Sequence, residues 1–152
     1  MRPGVRLGVD VGRARVGVAV CDRDGLLATP VATLARDGAL AALTSLIAER
    51  EPVEVVVGLP LSLSGGDTPS TQDARDFAAA LGAAAAVPTR LVDERLSTVS
   101  AQRALHDSGR TTKGSRAVID QVAAVIILQN ALDFERSAGR PPGVVVDPHE
   151  GT

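Results

Sequence analysis

Three places in the 152-residue chain set carboxylates among residues that ordinarily exclude them. Asp10 lies inside "RLGVDVGRARVGVAV", residues 6–20, between two apolar runs. Asp93 and Glu94 close the short run "TRLVDE". Asp120 lies on "RAVIDQVAAVIILQNALDFER", with Ala117, Ala123, Ala124 and Ile127 three, four and seven residues away, hence along a largely apolar helical stripe. An ionised carboxylate on a buried stripe costs several kcal/mol unless something compensates it. Gathered together, such groups repel one another, and a divalent cation reverses that sign because hard ions such as Mg²⁺ take oxygen ligands. Two such ions about 4 Å apart activate a water and stabilise the leaving oxygen of a phosphodiester. Successive strand residues point to opposite faces, so only one of Asp93 and Glu94 can share a hollow with Asp10. Taken singly, each acid has a blander role: Asp10 caps a turn, or Asp120 pairs with Arg116 four residues back.

Other chemistries fit less well. The serines of "LPLSLSG" have no histidine partner, which leaves a serine hydrolase unsupported. His106 reads as a helix-surface residue and His149 falls in the tail. Neither GxxxxGK[ST] nor GxGxxG occurs. A basic excess does occur at Arg90, Arg95, Arg103, Arg110, Lys113 and Arg116, against only Asp93, Glu94 and Asp107. Those cations could contact phosphates, as could Ser97, Thr98 and the amides of the helix start they cap. Lys113 is the only lysine beside fifteen arginines.

The elements that must position these groups are legible from period and punctuation. Residues 5–11 and 16–21 alternate as a β-hairpin with one bulky and one small face; Gly8 and, across the pair, Gly17 and Ala19 leave a hollow around Asp10. Residues 26–34 suit a third strand, with Pro30 favouring an edge. A helix over 37–50, a strand over 53–57 ending at Gly58, a loop over 59–70, a helix over 71–86 and a strand over 89–94 follow. Ser97–Thr98 open a further helix that Gly109 ends; "RTTKGS" is a loop before the last helix. Three antiparallel strands, then helix–strand twice, imply a mixed sheet with helices on both faces and ligands at the carboxyl ends of the parallel strands. The tail from 137, rich in Pro and Gly, is left outside the fold as flexible.

At 45% hydrophobic and 22% charged the chain is globular in type and long enough for one core. A net charge of −2 argues against coating nucleic acid by bulk charge, so any such contact must be local. Two Phe without Tyr or Trp nearly exclude aromatic stacking platforms. The lone Cys21 allows no internal disulfide and no cysteine zinc motif; it suits a small hydrophobe at a strand end. No run spans a bilayer and residues 1–10 lack a signal h-region, which makes a cytoplasmic location and no membrane partner the expectation.

"LGVDVGRARVGVAV", "VVVGLPLSLSG", "LVDERLSTVSAQRAL" and "KGSRAVIDQVAAVIILQNAL", in that order from about residue 5 to 135, resemble the YqgF family. Its members are bacterial RNase H-like proteins described both as Holliday-junction resolvases and as nucleases maturing the 5′ end of 16S rRNA. The resemblance implies an α/β fold with a five-stranded sheet of order 3-2-1-4-5 in a domain over 1–136. It implies catalytic, metal-holding acids at Asp10, Glu94 and Asp120, with Asp93 in support, and Mg²⁺ or Mn²⁺ as cofactor. It gives Lys113 a substrate contact, beside Arg95, Ser97, Thr98 and Arg116, which the local basic excess and helix start already offer as phosphate contacts. The partner it implies is pre-16S rRNA or, alternatively, a four-way DNA junction, bound by a monomer or homodimer. Two rivals from other classes are a non-catalytic binding factor of the same fold and a fragment of a sugar-kinase-like or actin-like ATPase. The acidic set disfavours the first, and the chain is too short for the two lobes of the second.

Overall fold

A computed structural model describes residues 1–94 and 113–146, with side chains for 1–94 and 121–146. The strands are β1 (Arg6–Val11), β2 (Arg15–Cys21), β3 (Ala28–Ala35), β4 (Glu54–Leu59), β5 (Thr89–Asp93) and β6 (Val144–Val145). The described helices are α1 (Ala39–Arg50), α2 (Pro69–Ala85) and α3 (Lys113–Ala138). All six strands form one sheet in the order β3-β2-β1-β4-β5-β6. β1, β2 and β3 pair antiparallel, and β4 and β5 add in parallel.

The alternation read in the hairpin divides the sheet into two faces. The bulky face carries Leu7, Val9, Val16, Val18, Val55 and Val57, packed under Leu43 and Ile47 of α1 and Phe77, Ala78 and Leu81 of α2. The small face carries Ala19, Cys21 and Val56 and receives Ala123, Ala124, Ile127, Leu128 and Leu132 of α3. Small residues let α3 lie close: a Cβ on Gly8 would come 2.6 Å from Leu128 Cβ and 2.9 Å from the Ala124 carbonyl. Cys21 is buried there, and its burial pushes the thiol pKa up, as expected of an inert packing residue.

Boundaries differ from the sequence reading where side chains intervene. β3 starts at Ala28 because Asp22 Oδ1 accepts the N–H groups of Leu26 and Leu27 at 2.9 Å, holding those residues in a turn. β3 is an edge strand, as Pro30 demands, with a register shift opposite it. α2 starts at Pro69, two residues early. Thr68 and Thr71 form a capping box, and Thr71 Oγ1 also donates to the Pro60 carbonyl. Lys113, Gly114 and Ser115 lie within the first turn of α3 rather than in a loop before it.

The sheet has six strands rather than five. Gly143, at φ 64°, brings the chain against Leu91, where a Cβ would stand 2.1 Å from the Leu91 carbonyl oxygen. Val144 then pairs with Leu91 and Val145 with Arg90, antiparallel to β5. Part of the segment set aside as tail thus extends the sheet.

The amino-terminal ends of the parallel strands are closed by buried charge. The Arg2 guanidinium donates to Glu54 at 3.1 and 3.2 Å and to Glu135 at 2.6 Å; Arg6 donates to Glu135 at 3.0 Å, and Arg90 to Glu54 at 2.5 Å. Burial alone would raise the Glu135 pKa, but hydrogen bonds from the Arg2 side chain and backbone, with the Arg6 charge, pull it below its ordinary value. Arg90, grouped above with phosphate-binding cations, is therefore spent on Glu54 at the end of the sheet remote from Asp10. No helix among the described residues is long and apolar enough to cross a membrane.

Candidate active site

Asp10 is 2% exposed on β1, next to its carboxyl end, paired across the hairpin with Gly17. It follows Gly8 by two residues and so shares the α3 face of the sheet. On its other side β4 runs parallel, with Val9 opposite Val57, so the next position beside Asp10 is Gly58. Strand spacing sets those backbones about 4.8 Å apart.

Glu94, 5% exposed, follows β5 directly. Its side chain lies over Gly58: a Cβ there would stand 3.0 Å from Glu94 Oε1, 3.1 Å from Glu94 Cγ and 2.6 Å from Ile127 Cδ1 of α3. Asp10 and Glu94 thus flank one glycine on one face. Alternation resolves the Asp93–Glu94 pair. Asp93 follows Leu91, which packs on the α1/α2 core, whereas Glu94 follows Val92, which packs under α3. Asp93 therefore points away from Asp10, although it lines with Glu94 a cavity of about 700 Å³ that also reaches Gln72, Arg75 and Phe134.

The helix carrying Asp120 is fixed by contacts further along it. Glu135 meets Arg6, and Leu128 and Ala124 meet Gly8, so α3 runs antiparallel to β1. One helical turn back from Ala124 is about 6 Å, and Gly8 to Asp10 is about 6.7 Å. Helix position 120 is therefore level with Asp10. The side chains of Asp120, Lys113 and Arg116 lie outside those described, as do residues Arg95, Ser97 and Thr98 entirely. Among the described residues no three His, Cys, Asp or Glu side chains form a metal-holding group. What they do form is a pair of buried carboxylates on one face, with Glu94 and Ile127 packed directly against Gly58 where a side chain would stand.

Two features escaped the sequence reading. Gly58 looked only like a strand end. The second is a brace under the β1–β2 turn: both Arg36 terminal nitrogens reach Asp73 at 2.8 Å, one also donates to the Gly12 carbonyl at 2.9 Å, and the guanidinium carbon lies 5.1 Å from the Phe77 ring centroid. The Asp73 hydrogen bonds raise the Arg36 pKa, and Arg36 lowers that of Asp73.

Comparison with known proteins finds relatives over nearly the whole chain. The family described as "RuvX: Holliday junction resolvase" matches residues 4–134. A protein of Leifsonia xyli named "Putative pre-16S rRNA nuclease" is 54% identical over 99% of both chains. One of Streptomyces coelicolor with the same name is 56% identical over 97% of this chain and 90% of its own. Among solved structures, Thermus thermophilus RuvC in complex with a Holliday junction substrate has a TM-score of 0.57 at 17% identity, over 91% of this chain and 98% of its own. At that identity the likeness concerns the fold.

Proposed function

The chain belongs to the RuvX (YqgF) family and is a phosphodiester-cleaving enzyme of that type; on this premise we propose that it is a metal-dependent endonuclease trimming the 5′ end of pre-16S rRNA. Asp10, Glu94 and Asp120 form its catalytic set. The observation that carries this is the burial of Asp10 and Glu94 on one face, on either side of Gly58. The antiparallel register of α3, which runs position 120 level with Asp10, supports the third member.

The donors fit a hard divalent cation, Mg²⁺ or Mn²⁺: they are carboxylate oxygens, and the missing Cβ of Gly58 lets the Glu94 carboxylate lie on the Asp10 face. Bound there, such a cation supplies Lewis acidity toward the attacking water and the leaving oxygen. The chain's own part is to hold those oxygens in fixed orientation. Asp10 is locked in a central strand, and Glu94 lies against Gly58. Asp93, on the other face, orients the end of β5. Arg95, Ser97, Thr98, Lys113 and Arg116 contact the substrate backbone. The enzyme works in the cytoplasm.

A four-way DNA junction is the second reading, favoured by the description of the matching family. Symmetric cutting of a junction calls for a homodimer, whereas trimming an rRNA end needs only a monomer. The test is incubation of the protein with a pre-16S rRNA fragment and, separately, a four-way junction, in Mg²⁺, Mn²⁺ or EDTA, beside Asp10→Asn. RNA cleavage lost in EDTA and in the variant is the expected result. Junction cleavage alone selects the second reading. Metal-dependent cleavage that survives Asp10→Asn overturns the site.

A further inference from the structure

The β1–β2 turn, Gly12 to Ala14, directly follows the strand that carries Asp10. It is pinned from three directions. Gly12 N–H donates to the Arg15 carbonyl at 2.9 Å, Arg36 N–H donates to the Ala14 carbonyl at 2.9 Å, and the Arg36 guanidinium donates to the Gly12 carbonyl at 2.9 Å. Arg36 is itself fixed by its two bonds to Asp73 and its seat over Phe77. A surface turn that only reverses the chain needs no such brace.

The exposed tip of this turn is Arg13. Asp73 feels the Arg13 charge but gives both carboxylate oxygens to Arg36. Arg13 forms no hydrogen bond or ion pair among the described residues. The brace thus occupies Asp73 and leaves an exposed cation on a held turn beside the site. Three residues of chain span at most about 10 Å. Arg13 therefore stands within about three nucleotide steps of a phosphodiester lying at Asp10, at 3.4 Å per step along one strand.

We propose that Arg13 is a substrate-binding residue that takes a backbone phosphate of the polynucleotide, with Arg36 and Asp73 as positioning residues for the turn. The inference rests on the nuclease site proposed above. It adds a phosphate contact on the hairpin side, separate from the basic segment after β5. Backbone contact fixes register without reading sequence.

Salt dependence tests it. Binding of a pre-16S rRNA fragment and of a four-way DNA junction is measured in Mg²⁺ between 50 and 200 mM salt, with full-length Asp10→Asn as parent. Arg13→Gln and Arg13→Lys are added to that parent. One lost phosphate contact lowers the slope of log Kobs against log salt by about 0.7–0.9, so the affinity advantage of the parent over Arg13→Gln shrinks about 2.6- to 3.5-fold across that range. Arg13→Lys keeps the parent slope because the point charge remains. Parallel slopes for parent and Arg13→Gln overturn the Arg13 contact alone. A parent that binds neither nucleic acid overturns both the contact and the function it rests on.

Discussion

Gly58→Ala puts one methyl group where Glu94 and Ile127 meet. The new carbon would stand 2.6 Å from Ile127 Cδ1, 3.0 Å from Glu94 Oε1 and 3.1 Å from Glu94 Cγ. Ordinary contact begins near 3.4 Å, so Ile127 must give by about 0.8 Å and the Glu94 carboxylate by about 0.4 Å. Overpacking of this kind costs about 1–3 kcal/mol, which in a domain of this size lowers Tm by roughly 2–12 °C. The effect on rate is separate and larger, since a misplacement of about 1 Å costs up to ~10²-fold. With half that displacement at one carboxylate, cleavage in single turnover should fall about 10-fold. The assay is cleavage of an end-labelled pre-16S rRNA fragment in Mg²⁺, with thermal unfolding by circular dichroism alongside. Adding Ile127→Val removes Cδ1 and relieves the tighter contact. Stability should then recover while the rate stays low, because Glu94 is still displaced. A double variant that regains both equally, or a single variant with full rate, would refute the placement of Glu94 over Gly58 as the point of catalytic leverage.

Further outcomes follow from the same structure. Asp10→Asn and Asp120→Asn should each abolish cleavage while the circular dichroism spectrum and cooperative unfolding persist; retained cleavage removes that residue from the catalytic set. EDTA should stop cleavage and excess Mg²⁺ or Mn²⁺ restore it, followed on the same labelled RNA. Glu135→Ala leaves Arg6, whose side chain is 2% exposed, without its carboxylate; urea unfolding should show a loss of about 3–5 kcal/mol, and a loss under 1 kcal/mol contradicts the buried pairing. Glu135 is held below its ordinary value of 4.5 by Arg2 and Arg6. A depressed carboxylate stabilises fully above its unfolded value and loses that contribution as pH falls through its folded one. Stability should therefore decline with acidification below about pH 4.5, and more gently in Glu135→Gln when both are unfolded in urea across pH 2–6.

The architecture was readable because its signals were local. Alternation in residues 5–21 separates a bulky from a small face, Pro30 marks an edge, and the small face is the one that receives α3. The acids were visible as misfits in apolar runs, and alternation limited Asp93 and Glu94 to one occupant of the Asp10 face. Which one it was depended on the phase of β5 against β4, a long-range register that no residue of "TRLVDE" records. β6 was missed because two prolines and a glycine precede a three-valine run whose partners in β5 lie 53 and 55 residues away. The Arg2–Glu54–Glu135–Arg6 cluster joins positions up to 133 residues apart, and each member alone looks like a solvated charge. The brace at Arg36 is hidden for the same reason, and with it the role of Arg13.

The clasp on Glu135 has a bearing on how this molecule is handled at the bench. α3 is gripped at its far end by Arg2 and Arg6, and Asp120 stands fifteen residues up the same rod, about 22 Å away. The backbone amide of Arg2 belongs to that grip. A substitution at Arg2 therefore loosens the anchor of the helix whose other end carries the proposed catalytic Asp120. Preparations differing only at Arg2 should differ in turnover, although nothing near the scissile bond has been touched.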